Sequence, residues 1–143
     1  MTTTVATIET PELAVGRSRL QLALNVTDLD AAVDFYERLF ATPVSKRRPG
    51  YANFAIANPP LKLVLFENEE GATLNHLGVE VSSTMEVDAT TRRLSEDGLD
   101  TATEEAVACC HAVQDKVWVT DPDGAPWEVY TVLGDDDSAA ASL

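Results

Sequence analysis

Two adjacent cysteines, Cys109 and Cys110, are the only cysteines in this chain of 143 residues. Adjacent Cα atoms lie about 3.8 Å apart, which is shorter than the roughly 4.4 to 6.8 Å usual for a disulfide, so the reduced state is favoured. Two thiols on one segment can hold one thiophilic centre, and sulfur ligands select soft metals and metalloids such as cadmium and trivalent arsenic. The alternative is that both are small buried hydrophobic side chains.

Three other side chains, Gln21, His76 and Glu128, could together hold a divalent metal. An imidazole, a carboxylate and an amide oxygen form a borderline donor set that suits iron, manganese, nickel or zinc. Each residue also has a structural explanation, because a single strand histidine is more often hydrogen-bonded in the interior and a glutamate in WEVY usually faces solvent. The metal hypothesis therefore depends on an internal repeat that brings the three residues together.

Composition limits the classes of partner. The 45% hydrophobic content indicates one globular domain, and ten basic against 24 acidic residues give a net charge of -14, which repels phosphate backbones and anionic membranes. No apolar run approaches about 18 residues, and the first residues lack the pattern of a signal peptide. We expect a cytoplasmic protein that binds neither nucleic acid nor membrane.

The first half of the chain reads as βαβββ. Alternating apolar residues predict a strand at Arg19–Val26, and a helix capped by Thr27 follows and stops before Pro43. Three strands separated by turn residues come next, around Val44, at Tyr51–Ala57 and at Leu61–Phe66.

The second half repeats this order. A strand at Leu74–Val81 precedes a helix capped by Thr84 and closed by Gly98. The three strands that follow are predicted at Thr101–Val107, His111–Thr120 and Trp127–Val132. The expected fold is α+β, with two βαβββ units that form a curved mixed sheet around a metal cleft. We expect one domain at 19–133, with units 19–67 and 73–133, between flexible ends at 1–18 and 134–143.

The repeat gives the three candidate ligands related positions. Gln21 and His76 begin the first strands of the two units, and Glu128 lies early in the last strand of the second unit. The matching position of the first unit is Lys62. Inner faces of first and last strands converge on the cleft, so Gln21, His76 and Glu128 are predicted to meet there.

The repeat, with such residues on those strands, resembles the vicinal oxygen chelate superfamily of glyoxalases, bleomycin resistance proteins and dioxygenases. Within it, the chain resembles the carbon-arsenic lyase family, some of whose members are called cadmium-induced proteins. The similarity runs from about Leu20 to Val132, and five segments carry it: QLALNV, RPGYANFAIANPPLKLVLFE, LNHLGVEV, the cysteine pair and AVQDKVWVTDPDGAPWEVY.

This resemblance implies an Fe(II)- and O2-dependent enzyme that converts trivalent organoarsenicals such as methylarsenite, or trivalent aromatic arsenicals, to arsenite. It implies metal binding by Gln21, His76 and Glu128, with His76 and Glu128 as the catalytic residues, and arsenic binding by Cys109 and Cys110. Nickel, cobalt, manganese or zinc could replace iron in the isolated protein. The superfamily is also compatible with a homodimer.

One residue departs from the family pattern. His111 follows the cysteine pair where the family usually has tyrosine. We expect His111 to line the substrate pocket, where it would alter which arsenicals fit. The less favoured alternative is a facial triad in which His111 joins His76 and Glu128 and excludes Gln21.

Two other functions remain open at the level of the sequence. The thiol pair could sequester cadmium or arsenite without turnover, in which case loss of Glu128 would be tolerated. Another enzyme of the same fold, such as a glyoxalase, a ring-cleaving dioxygenase or a thiol transferase, would give the adjacent cysteines no role. The fold alone does not separate these functions.

Overall fold

The computed structural model describes residues 13–109 and 111–135, and these fold in the order βαβββ–βαβββ. The first unit consists of β1 (Ser18–Val26), α1 (Leu29–Phe40), β2 (Lys46–Arg48), β3 (Tyr51–Ile56) and β4 (Leu61–Glu67). The second consists of β5 (Thr73–Val81), α2 (Thr84–Glu96), β6 (Ala102–Cys109), β7 (Ala112–Thr120) and β8 (Pro126–Asp135). The predicted repeat of two βαβββ units is confirmed.

A single mixed sheet contains all eight strands, in the order β2-β3-β4-β1-β5-β8-β7-β6. Within each unit the first strand runs parallel to the last, β1 beside β4 and β5 beside β8. The first strands of the two units, β1 and β5, pair antiparallel, with Gln21 opposite Gly78 and Ala23 opposite His76. This junction places both units around one cleft, as the predicted pair of βαβββ units required.

The two faces of β1 are buried to different degrees. Its apolar residues Leu22, Leu24 and Val26 pack against the core beneath α1, as expected. However, the opposite face is the more deeply buried one, because Gln21 and Asn25 on it are each 4% exposed. The sheet curves toward this polar face, so its side chains point into the cleft and not into open solvent.

Both helix caps lie one residue from a predicted position. Asp28, and not Thr27, caps α1, since its side chain accepts a hydrogen bond from the Ala31 N–H at 3.0 Å. Ser83, and not Thr84, caps α2 by accepting from the Glu86 N–H at 3.3 Å. In each case the capping residue has the extended backbone that an N-cap requires, and the helix begins at the next residue.

The last strand is longer than expected. Gly134 and Asp135, assigned from the sequence to the tail, continue β8 because Val113 and Ala112 of β7 pair with them. Lys46 also binds the Asp135 carboxylate at 3.1 Å. The remaining tail, 136–143, and the first twelve residues lie outside the described residues. Within the described part, no helix is long and apolar enough to cross a membrane.

Candidate metal centre

Gln21, His76 and Glu128 come together on three neighbouring strands, β1, β5 and β8. Gln21 lies opposite Gly78 on β5, and Gly78 in turn lies opposite Glu128 on β8. All three side chains point to the concave face and are almost fully buried, with 4%, 8% and 3% of their surface exposed. The register of the sheet therefore brings together the three residues that were selected from the sequence.

The three polar ends form a triangle of contacts. Glu128 Oε2 lies 2.7 Å from both His76 Nε2 and Gln21 Nε2, and the two nitrogens are 3.2 Å apart. Neighbouring ligand atoms of a six-coordinate ion with bonds of about 2.1 Å are separated by about 3.0 Å. Because a rotation of the amide exchanges the oxygen and nitrogen of Gln21, the triangle can present one imidazole nitrogen and two oxygens. This donor set fits a divalent metal ion.

Asn75 orients the imidazole of His76. His76 Nδ1 lies 2.8 Å from Asn75 Oδ1, so the ring can keep a proton there while Nε2, which contacts Glu128 Oε2, loses its own proton when it binds a metal. The rings of Phe66 and Trp118 lie 6.2 Å and 5.4 Å from the imidazole. The ring is thus held by Asn75 on one nitrogen, by the triangle on the other and by two aromatic neighbours.

Lys116 is a buried partner of Glu128 that sequence reasoning missed. Its ammonium donates to Glu128 Oε1 at 2.7 Å, on the carboxylate oxygen that faces away from His76. Burial raises the pKa of Glu128, but the hydrogen bond from His76 and the charge of Lys116 outweigh it, so the pKa is lowered. The carboxylate is therefore ionised at neutral pH, as a metal ligand must be. The available signal was a lysine in the otherwise apolar run KVWV.

The absence of a side chain at Gly78 allows Gln21 and Glu128 to approach each other. A Cβ atom added at Gly78 would lie 2.9 Å from both Glu128 Cγ and the Glu128 carbonyl oxygen, and 3.0 Å from Gln21 Nε2. The backbone oxygen cannot retreat without breaking the pairing of β5 with β8. The close approach of Gln21 and Glu128 thus depends on a residue without a side chain.

The first residue of the cysteine pair ends strand β6. β6 ends at Cys109, whose backbone pairs with Ala112, while the Cys109 side chain and all of Cys110 lie outside the described part of the structure. His111 completes the turn with a φ of 65°. The Lys46 ammonium donates to the His111 carbonyl oxygen, and the Tyr51 ring lies 5.0 Å from the imidazole. The first unit therefore anchors the turn that carries the thiols.

His111 does not join the triangle. Among the side chains described, no three histidine, cysteine, aspartate or glutamate residues are close enough to share a metal. His111 instead contacts Tyr51, which lines the cleft. The geometry favours the set with Gln21 over the alternative facial triad, and a role of His111 in the substrate pocket stays a prediction.

A second charged cluster shares the cleft, which has a volume of about 820 Å³. Glu80 binds Arg19 at 2.9 Å and lies 3.9 Å from the Lys62 ammonium. Burial lowers the pKa of Lys62 to about 8, with Arg19 adding to the effect and Glu80 opposing it. The Tyr130 hydroxyl, opposite Glu80 in the sheet, is fully buried, and burial together with nearby carboxylates raises its pKa.

Comparison with known proteins gives the family. The family model for the Glyoxalase/Bleomycin resistance protein/Dioxygenase superfamily matches residues 19–129, which is more than half of the chain. The chain belongs to this superfamily. The matched residues include the candidate ligands on β1, β5 and β8, and the resemblance drawn from the sequence is confirmed.

Two proteins are similar to this chain over most of its length. The chain is 63% identical over 122 residues to the cadmium-induced protein CadI of Mycobacterium tuberculosis, an alignment that covers 85% of this chain and 80% of CadI. It is 60% identical over 125 residues to the trivalent organoarsenical cleaving enzyme of Thermomonospora curvata, covering 86% and 83%.

A solved superfamily structure has the same fold. The manganese(II)-bound glyoxalase of Novosphingobium aromaticivorans superposes with a TM-score of 0.60 at 21% identity, over 87% of this chain and 44% of the glyoxalase.

The close approach of Gln21 and Glu128 at Gly78 leads to a first prediction. Gly78→Ala should separate Gln21 from Glu128 and lower the affinity for Mn(II) by on the order of 10- to 100-fold, as measured by anaerobic calorimetric titration. Gly134→Ala is the matched control, because a Cβ there meets nothing within 4 Å. Unchanged Mn(II) affinity in a folded Gly78→Ala variant would show that the triangle is not the metal site.

The buried charge of Lys62 leads to a second prediction. Lys62→Met should raise the free energy of unfolding near pH 7 by up to roughly 3 kcal/mol, because folding lowers the pKa of Lys62 from 10.5 to about 8. Between these values the unfolded chain holds the proton that the folded chain has lost, so wild-type stability recovers as pH rises. The advantage of Lys62→Met should therefore shrink between about pH 8 and 10.5.

Urea denaturation at both ends of this range measures the effect. Arg38→Gln serves as the control, since it removes one positive charge from an exposed pair and should change stability by less than about 1 kcal/mol at either pH. An advantage of Lys62→Met that does not depend on pH would contradict the assignment to buried charge.

Proposed function

We propose that this protein cleaves the carbon-arsenic bond of trivalent organoarsenicals in a reaction that depends on Fe(II) and O2. The observation that carries the proposal is the buried triangle of Gln21, His76 and Glu128, whose donor types and spacings fit a divalent ion beside a cleft. The name of the 60% identical Thermomonospora curvata enzyme supports the substrate class. The manganese(II)-bound glyoxalase of the same fold supports a divalent metal.

The proposed reaction balances with O2 as the only oxidant. The carbon-arsenic bond of methylarsenite breaks, one oxygen atom ends on arsenic as arsenite, and the other ends on carbon at the oxidation level of formaldehyde. Arsenic stays trivalent, while the methyl carbon loses four electrons to O2. Each methylarsenite consumed should therefore yield one arsenite and one formaldehyde.

The side chains have two separate roles in the proposed reaction, metal binding and arsenic binding. A ferrous ion held by Gln21, His76 and Glu128 supplies the activation of O2 when bound. Cys109 and Cys110 hold arsenic through two sulfur bonds, which selects trivalent compounds with two exchangeable ligands and fixes the direction of the carbon substituent. These thiols must be reduced, which agrees with a cytoplasmic location.

Lys116 favours the ionised form of the Glu128 carboxylate and fixes its orientation. Its hydrogen bond to Glu128 Oε1 leaves Oε2 directed toward His76 and Gln21. Because the Lys116 side chain is only 2% exposed, this contact is screened little by solvent. Lys116 acts as a positioning residue for the proposed ligand Glu128.

Anaerobic loading with Fe(II), followed by methylarsenite and then air, tests the proposal directly. Chromatography with mass detection follows the arsenic species, and a carbonyl assay follows formaldehyde. We expect equimolar arsenite and formaldehyde from the wild type. We expect at least a 100-fold lower rate in Glu128→Gln and in Cys110→Ser, since a lost ligand should cost no less than a lost outer-shell partner.

A matched control and a distinct negative result complete the test. Glu96→Gln removes the same charge from an exposed position on α2 and should retain full activity. Tight binding of methylarsenite that depends on Cys110, tolerates Glu128→Gln and gives no arsenite would contradict the lyase. That result would establish sequestration without turnover.

A further inference from the structure

Lys62 is a buried cation that the proposed reaction does not use. It lies on β4 directly beside Gln21 of β1, lines the cleft and is 6% exposed. Its ammonium has three hydrogen-bond donors, yet it makes no hydrogen bond within the described chain, and the Glu80 carboxylate with which it pairs lies 3.9 Å away, which is too far for a hydrogen bond. A buried ammonium without acceptors is costly, so the site favours a ligand that supplies them.

The charges around Lys62 leave one positive charge in excess. Arg19 pairs with Glu80, and Lys116 pairs with Glu128, so Lys62 has no carboxylate of its own among these five buried groups. The whole chain carries a net charge of -14. A buried positive charge inside an acidic protein creates a positive electrostatic potential at one place in the cleft.

A second donor lies beside this positive charge. The Tyr130 hydroxyl is buried, lines the cleft and has no hydrogen-bond partner in the described residues. Glu80 connects the two groups, because it pairs with Tyr130 across β5 and β8 and lies next to Lys62. Lys62 and Tyr130 therefore both line the cleft, and each is a neighbour of Glu80.

The cleft is larger than methylarsenite requires. Its volume of about 820 Å³ falls in the range of pockets that bury drug-sized ligands. The cysteine turn is anchored on Tyr51, which pairs with Phe66 on β4, whereas Lys62 lies four residues away on the same face of β4. That separation is about 13 Å along the strand, with Val64 as an apolar floor between.

We propose that Lys62 and Tyr130 form an oxyanion subsite, which binds a carboxylate carried by an aromatic substituent of the arsenical. In this arrangement arsenic lies at the cysteine turn, the ring lies over Val64 and Phe66, and the carboxylate reaches Lys62. The arsenical part of this inference rests on the proposed function, while the oxyanion subsite itself does not.

Binding measured without iron and without O2 tests the inference apart from turnover. The probes are phenylarsenite, 4-carboxyphenylarsenite and benzoate, titrated calorimetrically into the full chain. We expect 4-carboxyphenylarsenite to bind about 10- to 100-fold more tightly than phenylarsenite, the effect of one charge-assisted hydrogen bond. Lys62→Met should abolish this preference and the binding of benzoate, and Tyr130→Phe should reduce both.

Arg47→Gln is the matched control, because it removes a cation from the rim of the cleft, where Arg47 pairs with Asp30. It should keep the preference for the carboxylated probe. Equal affinity for the two arsenicals in the wild type, or a preference that survives Lys62→Met, would overturn the subsite and leave the lyase proposal intact. Binding of benzoate that depends on Lys62, without binding of either arsenical, would support the subsite and contradict the lyase.

Discussion

The antiparallel pairing of β1 with β5 is the constraint on which the rest of the site depends. It joins the two units through Gln21 opposite Gly78 and Ala23 opposite His76, so that candidate ligands from separate halves of the chain face one another. The parallel pairing of β5 with β8 adds Glu128 next to Gly78. A shift of one residue in either register would turn a ligand to the convex face.

The concave face is stabilised by compensation of charge as well as by apolar packing. Arg19 with Glu80 and Lys116 with Glu128 are ion pairs that are almost inaccessible to solvent. Removal of one partner from such a pair leaves an unpaired buried charge, which typically costs about 3 to 5 kcal/mol. The same pairs determine the charges in the cleft. Lys116 stabilises the ionised Glu128 carboxylate. Because Glu80 is already paired with Arg19, it compensates the charge of Lys62 only in part.

The repeat and the meeting of the three candidate ligands were predictable from the sequence because periodicity and topology determine them. Alternation in β1 and the order of elements placed Gln21 and His76 at related positions, and the turn before β8 placed Glu128. The helix caps were each assigned one residue away from the observed position, that of α1 one residue early and that of α2 one residue late, because neighbouring Thr27 and Asp28, or Ser83 and Thr84, are all residue types that cap helices.

The charged partners were not predictable in the same way. Alternation shows which residues share a face but not that the polar face is the more buried one, so Lys62, Glu80 and Lys116 resembled solvent-facing positions. Their burial follows from the curvature of the whole sheet. The direction of His111 depends on its positive φ in the turn and on its contact with Tyr51, neither of which has a local sequence signal.

The central claim is that Gln21, His76 and Glu128 hold the reactive metal. Anomalous diffraction at the iron edge, from anaerobic crystals soaked with Fe(II), tests it most directly. The account predicts one peak about 2.0 to 2.2 Å from Gln21 Oε1, His76 Nε2 and Glu128 Oε2, with Lys116 still bound to Oε1. An iron peak at the cysteine turn, with the triangle still closed by its own hydrogen bonds, would contradict it.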